Sequence, residues 1–340
     1  MRDSMDVGIL VFAAPRRAAE TAARVEALGF DTVLFPDSQN LVPEVWGQLL
    51  LAAKATTKVR LGPGVSNSVT RDPAVTASAA LALQVESEGR AVLGIGRGDS
   101  SVQRIGKHED PVASFERYVT MVRGYLAGEA VDRDGFASRI EWLEHVHVPP
   151  VPIEIAATGR RVIEVAARRA DAVCLAVGAD PEHVAEVRAH ALEAARSAGR
   201  PVRVGAFVNV VVHDDVAVAR EAVRGSAASF ARFSSFRGSA LDRLPAPLAE
   251  AARYLREHYD MRDHTRTGVA HTAGIGDAFV DWFAIAGPAA HVRARFDALA
   301  RVGLDFCYVV PGSTGMARDV AVSSMLALAR DVVPGLRAAR

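Results

Sequence analysis

Four short segments combine glycine with groups that carry charge or donate hydrogen bonds, and each follows an apolar run of strand length. The first is LFPDSQN (34–40), in which Asp37 closes the run. A carboxylate at the carboxyl end of a buried strand is where an α/β barrel enzyme places an acid that contacts substrate or cofactor; a plain turn aspartate has the same local sequence. The second is LGPGVSNSVTRDP (61–73). Gly62, Pro63 and Gly64 in succession point to a bulge. Val65, Ser66, Asn67 and Arg71 follow, and Asp72–Pro73 has the form of a helix N-cap and first-turn proline. The third is LGIGRGDSSVQRIG (93–106), where Gly94, Gly96 and Gly98 alternate with Ile95 and Arg97 before Asp99, Ser100 and Ser101. A strand interior seldom holds so many glycines. Without Cβ atoms they let backbone approach a ligand, and their N–H groups can face an anion; a tight turn into the next helix is the alternative. The fourth is IAATGRR (155–161). Thr158–Gly159 precedes a helix headed by Arg160 and Arg161, where N–H groups and the helix dipole suit a phosphate. A capping threonine would also explain it.

Other chemistries lack their signatures. The chain has no HExxH, GxSxG or cysteine-rich zinc pattern. His145 and His147 share one face of an extended segment without a third ligand in view. His264, between Arg262 and Arg266 in a long late segment, is the imidazole that sequence nominates for substrate contact. Forty basic and forty acidic residues give a net charge of zero, with no basic cluster of the kind that binds nucleic acid. No apolar stretch reaches the ~18 residues of a membrane span, and MRDSMDVGILVFAAP lacks the form of a secretory signal. Cys174 and Cys307 lie in apolar runs, as buried thiols do. These features predict a cytoplasmic protein acting on a small molecule.

The elements that must position these groups read as strand, helix, strand, repeated. Apolar runs fall at 7–12, 32–36, 59–65, 91–96, 153–158, 172–177, 202–212 and 306–310. They are continuous rather than alternating, as strands buried on both faces are. Eight of them, separated by alanine-rich helical stretches, predict one (β/α)8 barrel domain over 1–340. A doubly wound sheet would carry glycine in its first βα turn, and VFAAPRRA has none. Long insertions are predicted after strand four (about 97–152, with a helix near 111–127 and a hairpin near 131–142) and after strand seven (about 213–304).

Taken in order, the glycine-marked strand ends resemble the luciferase-like superfamily of flavin and deazaflavin oxidoreductases. Within it they are closest to the branch of the F420-dependent methylenetetrahydromethanopterin reductases. LGPGVSNSVTRDP, LGIGRGDSSVQRIG, IAATGRRVIEVAARRADAV and FAIAGPAAHVRARFDALARVGLDFCYVV carry the resemblance over nearly the whole chain. It implies hydride transfer between reduced coenzyme F420 and a small organic substrate. The alternative is a monooxygenase using flavin mononucleotide (FMN) and molecular oxygen. It further implies that Gly64, Val65, Ser66 and Asn67 support the cofactor ring, through a bulge with a non-proline cis peptide at Gly64–Val65. Gly96, Arg97, Gly98, Asp99 and Ser100 border the ring, Thr158 and Gly159 hold the phosphate, and Asp37 stands near the reactive edge. Relatives that use the deazaflavin often have histidine where this chain has Ser38. Arg160 is expected to favour the anionic tail of F420 over FMN about five-fold. Residues 230–275 are expected to form a lid over the substrate, and the barrel to form a homodimer.

Overall fold

The computed structural model describes residues 5–234, 241 and 244–337. Its strands are β1 (Asp6–Leu10), β2 (Thr32–Phe35), β3 (Arg60–Pro63), β4 (Ser66–Asn67), β5 (Leu93–Gly96), β6 (Val131–Arg133), β7 (Phe136–Ser138), β8 (Ile153–Ala157), β9 (Ala172–Leu175), β10 (Arg203–Val212), β11 (Ile285–Gly287) and β12 (Phe306–Pro311). All pairings in the main sheet are parallel, in the order β3-β2-β1-β12-β10-β9-β8-β5-β4. The ring closes because β4 follows β3 after two residues, and because Leu61 of β3 bridges Ala91 just before β5. This is the predicted (β/α)8 barrel, with β3 and β4 sharing the third position.

The predicted run 59–65 is therefore not one strand. It breaks at Gly64–Val65, which is joined by the expected cis peptide, while Gly62–Pro63 is trans. Gly64 fits there because a Cβ would lie 2.7 Å from Leu10 Cδ1 and 2.8 Å from Leu34 Cβ. The other runs lie within two residues of the predicted limits. The short strand β11 was not foreseen; it extends the sheet beside the carboxyl end of β10, pairing Val210 with Ile285 and Val212 with Gly287.

Alternation along the strands sorts the core. Cys307 and Val309 of β12 face outward into the large cluster beneath the helices, whereas Phe306, Tyr308 and Val310 face the lumen with Leu34, Val92, Cys174 and Phe207. Both cysteines are free and buried. Glu154 of β8 also points into the lumen, where the Tyr308 hydroxyl donates to its Oε2 at 2.6 Å. Burial pushes the Glu154 carboxyl above the usual carboxylate range, partly offset by that hydrogen bond and by Arg60 and Arg203.

The stretch after β5 holds the predicted helix (Val112–Leu126) and the hairpin β6–β7. The stretch after β10 holds helices Val216–Phe233, Ala246–His258 and Asp277–Phe283, packed around an apolar cluster of their own. It lies at the carboxyl end of the barrel, since Arg266 bridges Thr314, just beyond β12. The lid expected at 230–275 thus sits at that end over its described part; 235–240, 242 and 243 lie outside the described residues.

Candidate active site

The carboxyl ends of β2, β4, β5 and β8, with Ala176 just past β9 and Phe207 within β10, surround one cavity of about 370 Å³. Of the residues given a site role from sequence, Asp37, Gly64–Asn67, Gly96–Ser100 and Thr158 line it, whereas Gly159, Arg160 and His264 do not.

One wall consists of backbone and short polar side chains. Asp37 leaves the end of β2 and is 5% exposed. Its Oδ2 accepts from Ser66 Oγ at 2.7 Å, and Arg71 binds its Oδ1 at 3.1 Å. Arg71 also reaches Glu44 at 3.1 Å, so the strand-two acid is built into a polar brace behind the β3–β4 bulge. Asn67 folds the next turn: its Oδ1 accepts from the backbone N–H of Val69 and Thr70 and from the Thr70 hydroxyl, each at about 3 Å. Beyond it, Asp72 caps helix Pro73–Glu86 as predicted.

The glycine loop shows two uses of glycine. A Cβ on Gly94 would lie 2.3 Å from the carbonyl oxygen of Pro63, so this glycine serves the close approach of β3 to β5 rather than a ligand. Gly98 has φ +88°, the left-handed region, and turns the chain into the short helix Ser100–Gln103. Arg97 lines the cavity while its Nε donates to the carbonyl of Asp110 at 2.5 Å.

At β8, Thr158 lines the cavity and helix Arg160–Arg169 begins at once. Its N-cap is Gly159, no side chain caps it, and its first turn holds no acid. Thr158 is therefore not the N-cap. The barrel helices after β4, β9 and β10 are instead capped by Asp72, Asp180 and Asp215. Arg160 does not face the cavity. Its Nη2 lies 3.4 Å from His190 Nδ1 on the neighbouring helix, because the first-turn side chain projects outward from the barrel.

The opposite wall joins Phe207, which the sequence did not single out, to the start of the lid expected at 230–275. Phe207 of β10 meets Phe230 at a ring-centroid distance of 5.8 Å, and Phe230 meets Phe233 at 5.3 Å. Beside them Arg232 contacts Asp99 of the glycine loop, and its Nη2 lies 3.3 Å from Gln103 Oε1. The residues FARF (230–233) carry no spacing signature; only a chain fold that brings helix Val216–Phe233 over the mouth gives them a site.

His264 stands behind this wall. Tyr259 Oη lies 2.6 Å from its Nδ1, and Ser229 Oγ is within 3.5 Å. Burial, then the charges of Arg232 and Arg104, push its imidazole down to about 3. The sequence neighbours Arg262 and Arg266 pair instead with Asp260 and Asp263. His264 thus supports Tyr259 rather than facing the cavity. Among the described residues, no group of three or more histidine, cysteine or acidic side chains is placed to hold a metal ion. No described helix is long and apolar enough to cross a membrane.

The chain is 30% identical over 213 residues to a 5,10-methylenetetrahydromethanopterin reductase of Methanolobus tindarius, covering 61% of this chain and 65% of the relative. It is 36% identical over 153 residues to the enzyme of that name from Archaeoglobus fulgidus, covering 44% and 46%. These alignments thus span less than two thirds of either relative. The solved coenzyme F420 dependent tetrahydromethanopterin reductase of Methanopyrus kandleri superposes with a TM-score of 0.76 over 98% of this chain and 99% of that one, at 22% identity, which is a likeness of fold. Residues 3–305 match the profile of the family described as luciferase-like monooxygenase, and the chain belongs to that luciferase-like family.

Proposed function

We propose that this chain is an oxidoreductase that binds coenzyme F420 in the cavity and transfers hydride between its reduced form and a small organic substrate. The observation that carries this reading is the convergence of four strand ends on one cavity beside a helix whose N-terminus no side chain caps. The reductase names of its sequence relatives support it.

The residues fit such a group. The open N-terminus of helix Arg160–Arg169, with Thr158 on the cavity side, suits a phosphate. The β3–β4 bulge and Gly96 offer a narrow cradle, since a Cβ on Gly96 would crowd Val65 Cγ2 at 3.3 Å. When bound, the deazaflavin supplies the hydride chemistry. The protein's part is to hold and to exclude water. Asp37 has both oxygens engaged by Ser66 and Arg71, so it fixes the bulge against the ring's edge. Asn67 sets the turn beneath it, and the phenylalanine wall keeps the site dry. Residues 1–340 are read as one barrel domain whose late insertion covers the substrate.

Fluorescence titration with F420 and with FMN tests the proposal. The purified protein is expected to carry no tightly bound yellow flavin and to bind F420 more tightly. Tighter binding of FMN, with oxygen-dependent turnover, would assign it to the flavin monooxygenases instead.

The protein is further proposed to be a cytoplasmic homodimer. Leu51, Val75, Phe136 and Trp142 are 54%, 57%, 70% and 37% exposed on the outer helices and the β6–β7 region. Trp142 Nε1 donates to Ser78 Oγ, one turn from Val75, which joins part of this apolar face. Light scattering should give twice the chain mass, and Val75→Asp should give a monomer.

A further inference from the structure

We infer that Arg232 is the substrate-recognition residue of this cavity, and that it takes the carbonyl oxygen of a neutral molecule with a flat apolar body. The inference rests on the oxidoreductase reading above and names its substrate class.

A guanidinium has five N–H donors. Among the described residues, every acceptor of Arg232 lies on one nitrogen, Nη2: Asp99 Oδ1, Gln103 Oε1 and Met261 Sδ. Nε is buried with no partner. Nη1 has no acceptor either and, unlike Nε, is not sealed off, so its two N–H bonds remain open on a side chain that lines the cavity. A ligand acceptor that reaches Nη1 gains a charge-assisted hydrogen bond from a donor that has no protein partner.

The group is also held in place. Its guanidinium carbon lies 5.0 Å from the Tyr259 ring centroid and 5.8 Å from that of Phe233. Tyr259 in turn is fixed by His264 and by His271, whose ring lies 4.3 Å away. A donor fixed in this way binds with little loss of side-chain entropy.

The charge balance selects a neutral partner. Arg232 is already paired with Asp99. Asp37 is paired with Arg71, Arg97 donates to the backbone carbonyl of Asp110, and the described lining carries three carboxylates (Asp37, Asp99, Glu109) against two guanidiniums (Arg97, Arg232). The cavity thus offers open donors without a net positive charge among its described lining residues. The surfaces next to those donors are the rings of Phe207, Phe230 and Phe233, with Ala156 and Ala176 from β8 and the end of β9. They suit a planar hydrocarbon body rather than a sugar or a phosphate.

The test uses three probes of one shape: acetophenone, ethylbenzene and benzoate, titrated into the whole chain by ligand-observed NMR. Acetophenone should bind about ten-fold more tightly than ethylbenzene, the worth of one good hydrogen bond to a charged donor. Benzoate should bind no more tightly than acetophenone. Arg232→Met should abolish the preference for acetophenone while leaving ethylbenzene within two-fold. Arg232→Lys keeps a cation beside Asp99 without the planar fork and should also lose most of the preference, which covers the case in which the methionine variant does not fold. Phe233→Ala should weaken acetophenone and ethylbenzene equally. Equal binding of the two by the wild type, or an undiminished preference in both Arg232 variants, overturns the inference; tighter benzoate overturns the neutral class. Oxidised F420 should leave acetophenone bound, and its displacement would place the probe in the cofactor's seat and overturn the assignment. If the preference holds but F420 does not bind, the recognition residue stands and the cofactor reading fails.

Discussion

The cavity has two unlike walls. The wall formed by β2, β4, β5 and β8 consists of backbone and short polar side chains. Asp37, Ser66, Asn67 and Arg71 tie it together, and glycines let the strands approach to within contact of each other's carbonyls. The wall formed by β10 and helix Val216–Phe233 consists of Phe207 on the strand and of Phe230, Arg232 and Phe233 on an insertion with its own apolar core. In the first, shape is fixed by atoms no substitution can remove, and there is little room for a new one. In the second, shape is a matter of side chains, which can be exchanged without moving a strand. A fold that keeps one ligand constant and varies another would place them on these two walls in that order.

The largest expected effect separates the walls by stability. Gly94→Ala places a methyl 2.3 Å from the Pro63 carbonyl oxygen, a backbone atom that cannot step aside. It should cost about 3 kcal/mol or prevent folding. Phe233→Ala, at a half-buried site, should cost about 1 kcal/mol or less. Thermal melts of the two variants compare them; equal losses would mean that the walls are equally rigid.

Next is the pH response of the cluster behind the aromatic wall. The His264 imidazole is pushed down to about 3 in the folded chain, by burial first and then by Arg232 and Arg104. In the unfolded chain it takes up a proton near its ordinary value of about 6.5. Between those values the unfolded state binds more protons, so stability falls as pH falls. The contribution should reach about 2 kcal/mol by pH 5. Urea midpoints at pH 7, 6 and 5 should drop more steeply for the wild type than for His264→Asn; parallel slopes would remove His264 from the account.

Asp37→Ala should weaken F420 about ten-fold, through release of Ser66 and Arg71 and loss of the brace behind the bulge. It should leave the ratio of acetophenone to ethylbenzene binding unchanged, because that ratio belongs to the other wall. A fall in the ratio would show that the walls are coupled.

The smallest effect concerns Arg160. With its guanidinium turned to His190 rather than to the cavity, Arg160→Ala should change the preference for F420 over FMN by less than about two-fold. A five-fold change, the value expected from sequence alone, would mean that the side chain swings back when the cofactor binds.

The same division decides what could be read from the residues. Apolar runs gave the eight barrel positions because strands buried on both faces must be continuous. The glycine pairs marked the strand ends because backbone contact leaves a compositional trace. Gly94 shows the limit of that reading: its glycine is demanded by Pro63, not by a ligand, and only coordinates distinguish the two. Arg232 falls within the lid expected at 230–275, but its own role could not be read from the sequence. It meets Asp99 across 133 residues of chain, and neither residue has a neighbour in sequence that announces the other. His264 failed in the opposite way. Its adjacent arginines made it conspicuous, yet they pair elsewhere, and the cations that govern it come from Arg232 and Arg104. Glu154 lay unnoticed inside an apolar run, because a charge that faces a barrel lumen interrupts no pattern.

That lumen has a kinetic meaning. Phe207 and Tyr308 fill it beneath the cavity, and the bond from Tyr308 to Glu154 ties β12 to β8 across its diameter. Nothing passes through such a plug, so every molecule that reaches the cavity enters and leaves on the side of the insertion. Two occupants of a blind pocket cannot exchange places. The one seated against the floor arrives first and departs last, and the outer one turns over while the inner one waits. With a cofactor and a substrate bound as proposed, a tie that steadies the barrel would also order their addition, and steady-state patterns would register one compulsory sequence of binding rather than a random one.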